Sequence, residues 1–493
     1  MKNVIIIDLF RNMTPFFLEQ FPDVNVSVLV VLTEKDKEKY ENNHNISKIY
    51  TVYEIHHCGL ADDFTYEDIE LYRDVQLMAE LYMGRSTVEY RDYHVRKLVY
   101  YNALSFWLRV FKKCKIDGVF NLQENTGGII DNVPLAIAKK NNIQCFSIDF
   151  WLSGMAMIDL LKNEFIMRND HIEDLSQVQV LIAQDMKFGT DESKTILLAK
   201  VRKELEENGL KCTIKKIKKS LSLRLYLFYL DHLYKIGGVL FDRLIFCLFH
   251  RQNYWDWAGN SEDVIGRTYY ADLVKGWFLL KRTNRFQRKY GVVPKSTNSI
   301  YFSIHLEPEC SISQRIAPMD SQLLAIEMLS KCVPKDWVIY VKEHPDQINS
   351  NKLVGFGEFC ESNRIFKNMD FYEALQKMPN VKIVKPNYNA KQMLSLCKAV
   401  AVFSGSVVLE SMDCNKPLLL FQNERSIYKH FNGVFDIRSV KDCKEAIEVI
   451  ANGYIPNYDN HQDIIAKMIF GYDEKEELMQ SIKHYMRAQE SGE

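Results

Sequence analysis

Short apolar runs of strand length alternate with longer amphipathic segments along most of this chain, and this alternation constrains its fold most strongly. The apolar runs of the first 150 residues are 4–8, 26–32, 118–122 and 145–149. Between them, segments with helical periodicity include 67–83, 94–114 and 131–141. Strands that alternate with helices predict a parallel sheet with helices on its faces.

The same alternation resumes after residue 296. The strands predicted there are 298–306, 336–345, 381–384, 399–404 and 416–422. The helices predicted between them are 319–332, 371–378, 390–397 and 406–414. We therefore predict an α/β protein with two Rossmann-like, doubly wound domains and a ligand-binding cleft at the carboxyl ends of their strands.

The chain length of 493 residues suggests about three units. We expect an N-terminal Rossmann-like domain over 1–205, a basic, aromatic helical linker over 206–295 and a C-terminal Rossmann-like domain over 296–460. The remaining segment, 461–493, is predicted to be a helix that packs back across the two domains.

Composition excludes some classes of protein. Apolar residues make up 47% of the chain and charged residues 26%, a globular balance that argues against disorder. Lys and Arg number 63 and Asp and Glu 64, so the formal net charge is −1. This near-neutral balance argues against a wholly basic nucleic-acid-binding protein, and we expect no nucleic-acid partner.

Cysteine spacing and hydropathy indicate the compartment. None of the 11 cysteines forms a CxxC pair, which predicts reduced thiols of a cytoplasmic protein and no zinc site. The opening MKNVIIIDLF has an apolar run too short for a signal peptide, so we interpret it as the first strand. The sequence lacks an apolar stretch of about 18 residues, so no transmembrane helix is expected.

The basic insert, residues 211–251, differs from the rest of the chain. It holds nine Lys or Arg residues and two Asp residues among many aromatic ones. Basic clusters beside an apolar helix are typical of helices that bind an anionic membrane surface. A linker helix packed on the protein, with its basic face in water, accounts for the same pattern.

The first candidate for ligand binding is VKEHP, where Lys342 and His344 follow a predicted strand and precede Pro345. Ligands of open α/β sheets bind at such strand ends. An imidazole N–H can donate to a phosphate oxygen, and Lys342 adds positive charge. A histidine that only packs or caps is the alternative.

The second candidate is VFSGSVVLES, where Ser404, Gly405 and Ser406 lie between a strand and a helix. Glycine permits close approach of a ligand, and the free N–H groups and hydroxyls favour an anion. Glu410, one turn further on, could accept hydrogen bonds from ribose hydroxyls. An ordinary serine N-cap is the alternative. The motif is neither a Walker A loop nor a GxGxxG fingerprint.

The third candidate is HLEPECSISQ, which places His305, Glu307 and Glu309 after another strand. Asp320 follows, near the start of the next helix. Paired carboxylates in a cleft suit general acid and base catalysis, because repulsion and burial separate their pKa values. A solvated acidic loop is the alternative.

The N-terminal half offers one candidate, NLQENTGG. Gln123, Glu124 and Asn125 follow the predicted strand 118–122 and precede two glycines. These polar side chains could line an acceptor pocket; an ordinary loop leading into a helix is the alternative.

Taken together, these motifs resemble the capsule polysaccharide biosynthesis family of bacterial glycosyltransferases, which includes β-Kdo transferases. The resemblance covers about 296–425, and more faintly 117–165. The matching residues are Glu307-Pro308-Glu309, His344-Pro345, Ser404-Gly405-Ser406, Glu410 and Lys416-Pro417. Glu307 stands where the family has Gln, and serines replace the threonines of its Thr-Gly-Thr turn.

The resemblance implies a GT-B-like fold in which the C-terminal domain holds the nucleotide-sugar donor. It implies that His344, with Ser404 and Ser406, binds the donor phosphate and that Glu410 holds the ribose.

It further implies that Glu309 acts at the sugar or the acceptor. Asp320 is a second carboxylate candidate, and would be the nucleophile if the enzyme retains anomeric configuration. Glu307 belongs to the same catalytic group. We find no DxD motif at a strand end, so we expect metal-independent catalysis without a cofactor, with Lys342 and His344 neutralising the leaving nucleotide.

The resemblance therefore predicts a glycosyltransferase of capsule or lipopolysaccharide assembly. Its donor would be a nucleotide-sugar such as CMP-Kdo, and its acceptor a glycan or lipid-linked glycan. We expect a cytoplasmic protein that docks on the inner face of the membrane through 211–251. The alternatives are a teichoic-acid-type polyol-phosphate transferase that uses CDP-glycerol, a UDP-sugar epimerase and a non-enzymatic scaffold.

Overall fold

A computed structural model gives the architecture of most of the chain. It describes residues 2–9, 11–83, 93–124, 129–150, 154–168, 281–307, 321–344, 347, 367–421, 427–471 and 473–491. The basic insert lies outside these residues, and so do three of the candidates, Asn125, Glu309 and Asp320.

Two β-sheets organise the described residues. The first begins with β1 Asn3–Ile7, β2 Asn25–Val31, β3 Ile49–Thr51, β4 Gly118–Glu124, β5 Gln144–Phe150, β6 Gly154–Asp159 and β7 Glu164–Phe165. The second consists of β8 Ser299–Ser303, β9 Val338–Lys342, β10 Val381–Ile383, β11 Ala399–Val402, β12 Leu418–Leu420 and β13 Val434–Asp436. The last strand, β14 Phe470–Gly471, returns to the first sheet.

Helices cover the sheets. Those of the first half are α1 Thr14–Gln20, α2 Glu34–Glu38, α3 Val52–His56, α4 Tyr66–Leu71, α5 Arg73–Met83, α6 Tyr93–Cys114 and α7 Ile129–Lys140. Those of the second half are α8 Gln322–Cys332, α9 Met369–Lys377, α10 Ala390–Leu396, α11 Val407–Asp413, α12 Val440–Ala451, α13 His461–Met468 and α14 Lys475–Ser491. Residues 281–290 are also helical, and Ile427–His430 form a 3-10 turn.

The first sheet has the order β14-β6-β5-β4-β1-β2-β3, with β7 paired to β6. Strands β1 to β5 are parallel, whereas β6 and β14 run antiparallel at one edge. The parallel part is wound outwards from β1 in both directions, which is the Rossmann pattern.

The second sheet has the order β10-β9-β8-β11-β12-β13, and all its strands are parallel. In chain order this is 3-2-1-4-5-6, the dinucleotide-binding arrangement. Winding reverses between β8 and β11, so a crevice is expected at their carboxyl ends. The predicted α/β architecture of two Rossmann-type units is confirmed.

Alternation along β8 explains why this sheet is covered on both faces. Ile300 and Phe302 pack into a core with Leu329 of α8, whereas Tyr301 faces the opposite core with Val408 of α11. Strands buried on both faces lack the polar alternation of half-exposed strands, which is why the sequence shows them as continuous apolar runs.

The C-terminal segment, predicted as one helix over 461–493, instead comprises α13, β14 and α14, and it contacts both units. The ring of His461, the first residue of α13, packs against that of Phe431 in the second unit, with centroids 6.5 Å apart. Strand β14 then pairs with β6 of the first sheet, and Leu478 and Ile482 of α14 join the core that contains Phe17 of α1. None of the described helices has the length and apolar character needed to cross a bilayer.

Several features were not predicted from the sequence. Strands β3 and β13 have only three residues each, too short for a periodic signal. Strand β6, GMAMID, contains residues of low strand propensity and pairs at the sheet edge. The segment predicted as one helix over 67–83 is divided at Tyr72, whose carbonyl accepts a hydrogen bond from the Tyr100 hydroxyl at 2.8 Å.

Candidate functional site

Candidates from three separate segments meet at the carboxyl edge of the second sheet, beside its switch point. Glu307 follows β8 by four residues, Lys342 ends β9 and His344 comes two residues later. The Ser404–Ser406 turn follows β11, and Glu410 lies in α11. Strand ends that are far apart in sequence are thus adjacent in the sheet.

A hydrogen bond joins the two sides of the switch point. The backbone N–H of Ser404 donates to Nε2 of His305 at 3.1 Å. His305 is buried, and burial, followed by the charges of His344 and Lys367, lowers its pKa to about 3. The imidazole is therefore neutral at pH 7, with its proton on Nδ1. His305 acts here as an acceptor that holds the turn.

Gln322, the first residue of α8, fixes the backbone of His305. Its Oε1 accepts from the N–H of His305 at 2.7 Å, and its Nε2 donates to the carbonyl of His305 at 3.3 Å. Helix α8 is thereby tied to the end of β8, and the backbone of His305 is held at both its N–H and its carbonyl.

Gly405 has a backbone conformation that other residues rarely adopt. Its φ is +96°, and a Cβ added there would lie 3.2 Å from Cε1 of His305. The turn therefore needs glycine for its conformation as well as for the space beside the imidazole.

We expect Gly405→Ala to lower the free energy of unfolding by about 1–3 kcal/mol, because backbone strain adds to the close contact with His305. Gly453→Ala is the matched control, since Gly453 has φ +88° but no heavy atom within 4 Å of the added Cβ. Urea unfolding of both variants measures the difference. Equal losses would show that the imidazole contact has no energetic consequence.

Glu410 lies beside the hydroxyl of Ser406, which donates to its Oε1 at 3.3 Å. Ser406 precedes α11 without capping it through its side chain, so the ordinary N-cap interpretation does not hold for this serine. Burial raises the pKa of Glu410, an effect that Ser406 and Lys342 partly offset.

Lys342 brings a buried positive charge to the same place. It is 8% exposed, and burial lowers its pKa while the carboxylates of Glu343 and Glu410 partly offset this. Among the described residues, its ammonium group has one hydrogen-bond acceptor, the carbonyl of Glu343 at 3.3 Å. An ammonium has three protons to donate, so Lys342 has protons for which the described residues provide no acceptor.

His344 and Glu307, the other two described candidates at this edge of the sheet, have backbone groups that accept hydrogen bonds from neighbouring side chains or donate hydrogen bonds to them. His344 is half-buried, and its N–H donates to Oε1 of Glu343 at 2.8 Å. Glu307 is buried, and its N–H and carbonyl both bond the side-chain amide of Gln347, at 2.9 and 3.2 Å.

Sequence reasoning did not identify the five residues whose buried hydrogen bonds hold the backbone of this site after β8 and β9. They are Gln322, Glu343, Gln347, Lys367 and Tyr372. Glu343 stood within the VKEHP motif and could have been noticed there. Lys367 gave no signal, because it lies 24 residues beyond Glu343 and 62 beyond His305 in sequence.

The remaining candidates are untested. Glu309 and Asp320 both fall within 308–320, outside the described residues. Gln123 and Glu124 are the last two residues of β4, which is two residues longer than predicted, and Asn125 lies beyond the described part. The acceptor-side role of all three stays a prediction.

The arrangement combines a buried cation, a half-buried imidazole, two hydroxyls and the carboxylates of Glu307 and Glu410. A cation, an imidazole and hydroxyls are groups that can hydrogen-bond a phosphate, and carboxylates accept hydrogen bonds from hydroxyl groups. No group of three or more His, Cys, Asp or Glu side chains within the described ranges could hold a metal ion. Metal-independent catalysis stays a prediction.

Comparison with known proteins gives only distant similarities. Neither the models of known protein families nor the curated proteins match this chain. Among solved structures it is similar to UDP-GlcNAc 2-epimerase from Methanocaldococcus jannaschii, with 13% identity, a TM-score of 0.25, and coverage of 98% of this chain and 100% of the other.

Two transferase structures are similar as well. For the β-Kdo 2,7 transferase KpsC of Thermosulfurimonas dismutans, identity is 14% and the TM-score 0.21, with 45% of this chain and 68% of the other covered. For the family 9 glycosyl transferase of Veillonella parvula, identity is 10% and the TM-score 0.19, with 98% of this chain and 96% of the other covered. Similarities this low assign no activity to the chain.

Proposed function

We propose that this protein is a glycosyltransferase of bacterial surface polysaccharide assembly that takes a sugar from a nucleotide-sugar donor. The donor would bind at the carboxyl edge of the second sheet. The acceptor, a glycan or lipid-linked glycan, would approach from the first sheet. Docking on an anionic membrane surface through the basic insert is part of the same proposal.

One observation carries this proposal: residues singled out by separate motifs meet at the switch point of a Rossmann-type sheet. There Lys342, at the end of β9, and Ser404, Ser406 and Glu410, after the end of β11, offer one cation, two hydroxyls and one carboxylate. This is the set of groups that a sugar nucleotide, with its phosphates and hydroxyls, requires.

In the proposed reaction, an acceptor hydroxyl oxygen bonds to the anomeric carbon of the donor as the bond from that carbon to the phosphate oxygen breaks. Lys342 and His344 would stabilise the negative charge on the departing nucleotide. The hydroxyl proton would pass to a carboxylate, for which Glu307, Glu309 and Asp320 are the candidates. If configuration is retained, Asp320 would first form a covalent glycosyl intermediate that the acceptor then displaces.

The test is a thermal-shift screen against CMP, CDP, UDP, GDP and their sugar conjugates. A ligand that binds only the folded state stabilises it by mass action and so raises Tm. At a ligand concentration of 100 times Kd, the free energy of unfolding increases by about 2.7 kcal/mol. We expect at least one nucleotide to raise Tm, with a smaller rise in His344→Ala. The absence of a shift with every nucleotide would contradict the proposal and favour a scaffold.

The identity of the nucleotide separates the alternatives. A CMP-specific shift supports a Kdo-type transferase, and a CDP-glycerol shift supports polyol-phosphate transfer. Conversion of a UDP-sugar to its epimer without an acceptor would replace the transferase proposal by the epimerase one. Activity that persists in EDTA is expected, and a strict requirement for a divalent ion would contradict the metal-free mechanism.

A further inference from the structure

A buried ion pair lies beneath the loops that follow β8 and β9. Nζ of Lys367 is 3.0 Å from Oε1 of Glu343, and the two side chains are 0% and 2% exposed. The ammonium also donates to Oε1 of Gln347, at 3.4 Å, and to the backbone carbonyl of His305. Three acceptors match the three protons of an ammonium group.

The carboxylate of this pair is equally occupied. Oε1 of Glu343 accepts the backbone N–H of His344, and Oε2 accepts the hydroxyl of Tyr372 at 2.7 Å. Gln347, which accepts a hydrogen bond from Lys367, also bonds both the N–H and the carbonyl of Glu307. The hydrogen bonds of the ion pair and of Gln347 therefore reach the backbone groups of His305, Glu307 and His344.

Lys367 differs in this respect from Lys342, the other buried lysine of the site. The protons of Lys367 are engaged by protein acceptors, so its ammonium is not offered to a ligand. A buried ion pair generally adds little stability compared with well-packed apolar residues. Fixed directions of its hydrogen bonds, by contrast, define where the bonded backbone groups lie.

We infer that Lys367 and Glu343 are positioning residues. They hold the backbone of His305 and Glu307, after β8, at a set distance from that of His344, after β9, without touching the ligand. Through the hydrogen bond from Ser404 to His305, the same pair also sets the position of the serine turn. The expected effect on nucleotide affinity rests on the proposed function. The expected effect on the position of the backbone groups can be tested without a ligand.

The test variant is the double substitution Lys367→Met with Glu343→Gln, which removes both charges and leaves neither buried alone. We expect it to fold and to bind the nucleotide identified by the screen about 10- to 100-fold more weakly than wild type. The matched control is Lys331→Met with Glu327→Gln, which removes an exposed ion pair of α8 with Nζ···Oε1 2.7 Å. We expect the control to bind like wild type.

The geometric readout uses protein labelled with ¹⁵N-serine, because the backbone N–H of Ser404 bonds His305 and neither of the substituted residues. In the double variant we expect the amide signal of Ser404 to shift, because the carbonyl of His305 has lost its hydrogen bond from Lys367. The control should leave this signal in place. A role limited to stability predicts lower stability with an unchanged Ser404 signal.

A double variant that folds, binds nucleotide as wild type does and keeps the Ser404 signal would overturn the inference. If the wild type binds no nucleotide, the proposed function fails, and the Ser404 signal alone decides the positioning role. If the double variant does not fold, Tyr372→Phe replaces it, since it removes one hydrogen bond to Glu343 and keeps the ion pair. An unchanged Ser404 signal in that variant would likewise refute the inference.

Discussion

We expect Lys342→Met to fold normally and to lose about 100-fold in affinity for the nucleotide that wild type binds. Charged hydrogen bonds contribute roughly 1.5–3 kcal/mol, and about 1.4 kcal/mol corresponds to a tenfold change in Kd. Lys342 combines such a charge with a buried position at the end of β9 and with a single acceptor among the described protein groups.

The fold should tolerate this change because methionine matches the length of lysine and requires no buried charge. Isothermal titration with the nucleotide measures affinity, and thermal unfolding verifies that the variant is folded. Lys382→Met is the control, since Lys382 lies on the neighbouring strand β10 with its side chain exposed. A Lys342→Met variant that binds as tightly as the control would exclude Lys342 from the anion site.

A second large effect is expected in the pH dependence of stability, and it arises from His305. Its pKa is about 3 in the folded protein, against an ordinary value of 6.5. Between these values the unfolded state binds a proton that the folded state does not. The free energy of unfolding should therefore fall as the pH is lowered from about 6.5 towards 3, by about 1.4 kcal/mol per pH unit from this group.

Urea unfolding at pH values from 7 to 5 measures this slope, and comparison with a His305→Asn variant separates it from the contributions of other titrating groups. We expect His305→Asn to be less stable than wild type at pH 7 but to lose less stability on acidification. His44→Asn, at an exposed histidine, controls for the removal of an imidazole as such. If wild type and His305→Asn show parallel pH dependence, His305 is not the buried neutral imidazole described above.

Much of the fold could be predicted from hydrophobic patterning, because strands buried on both faces give continuous apolar runs. The predicted runs at 26–32, 118–122 and 399–404 correspond to β2, β4 and β11. Short or edge elements such as β3 and β6 escaped because three residues, or residues of low strand propensity, give no periodic signal.

For the site, the sequence determined which polar residues stand at strand ends, since a motif such as VKEHP or SGS is local to one βα junction. Which of these residues touch one another was decided by strand order alone. Ser404 bonds His305 across 99 residues of chain because β8 and β11 are neighbours at the switch point.

The tertiary structure also decided the difference between the two lysines. Lys342 and Lys367 are both buried cations, and composition treats them alike. Lys367 meets acceptors from residues 305, 343 and 347 and is satisfied by them, whereas Lys342 has one described acceptor. Hydrogen-bond satisfaction depends on which groups the folded chain brings within about 3 Å, and no local pattern of residues encodes that.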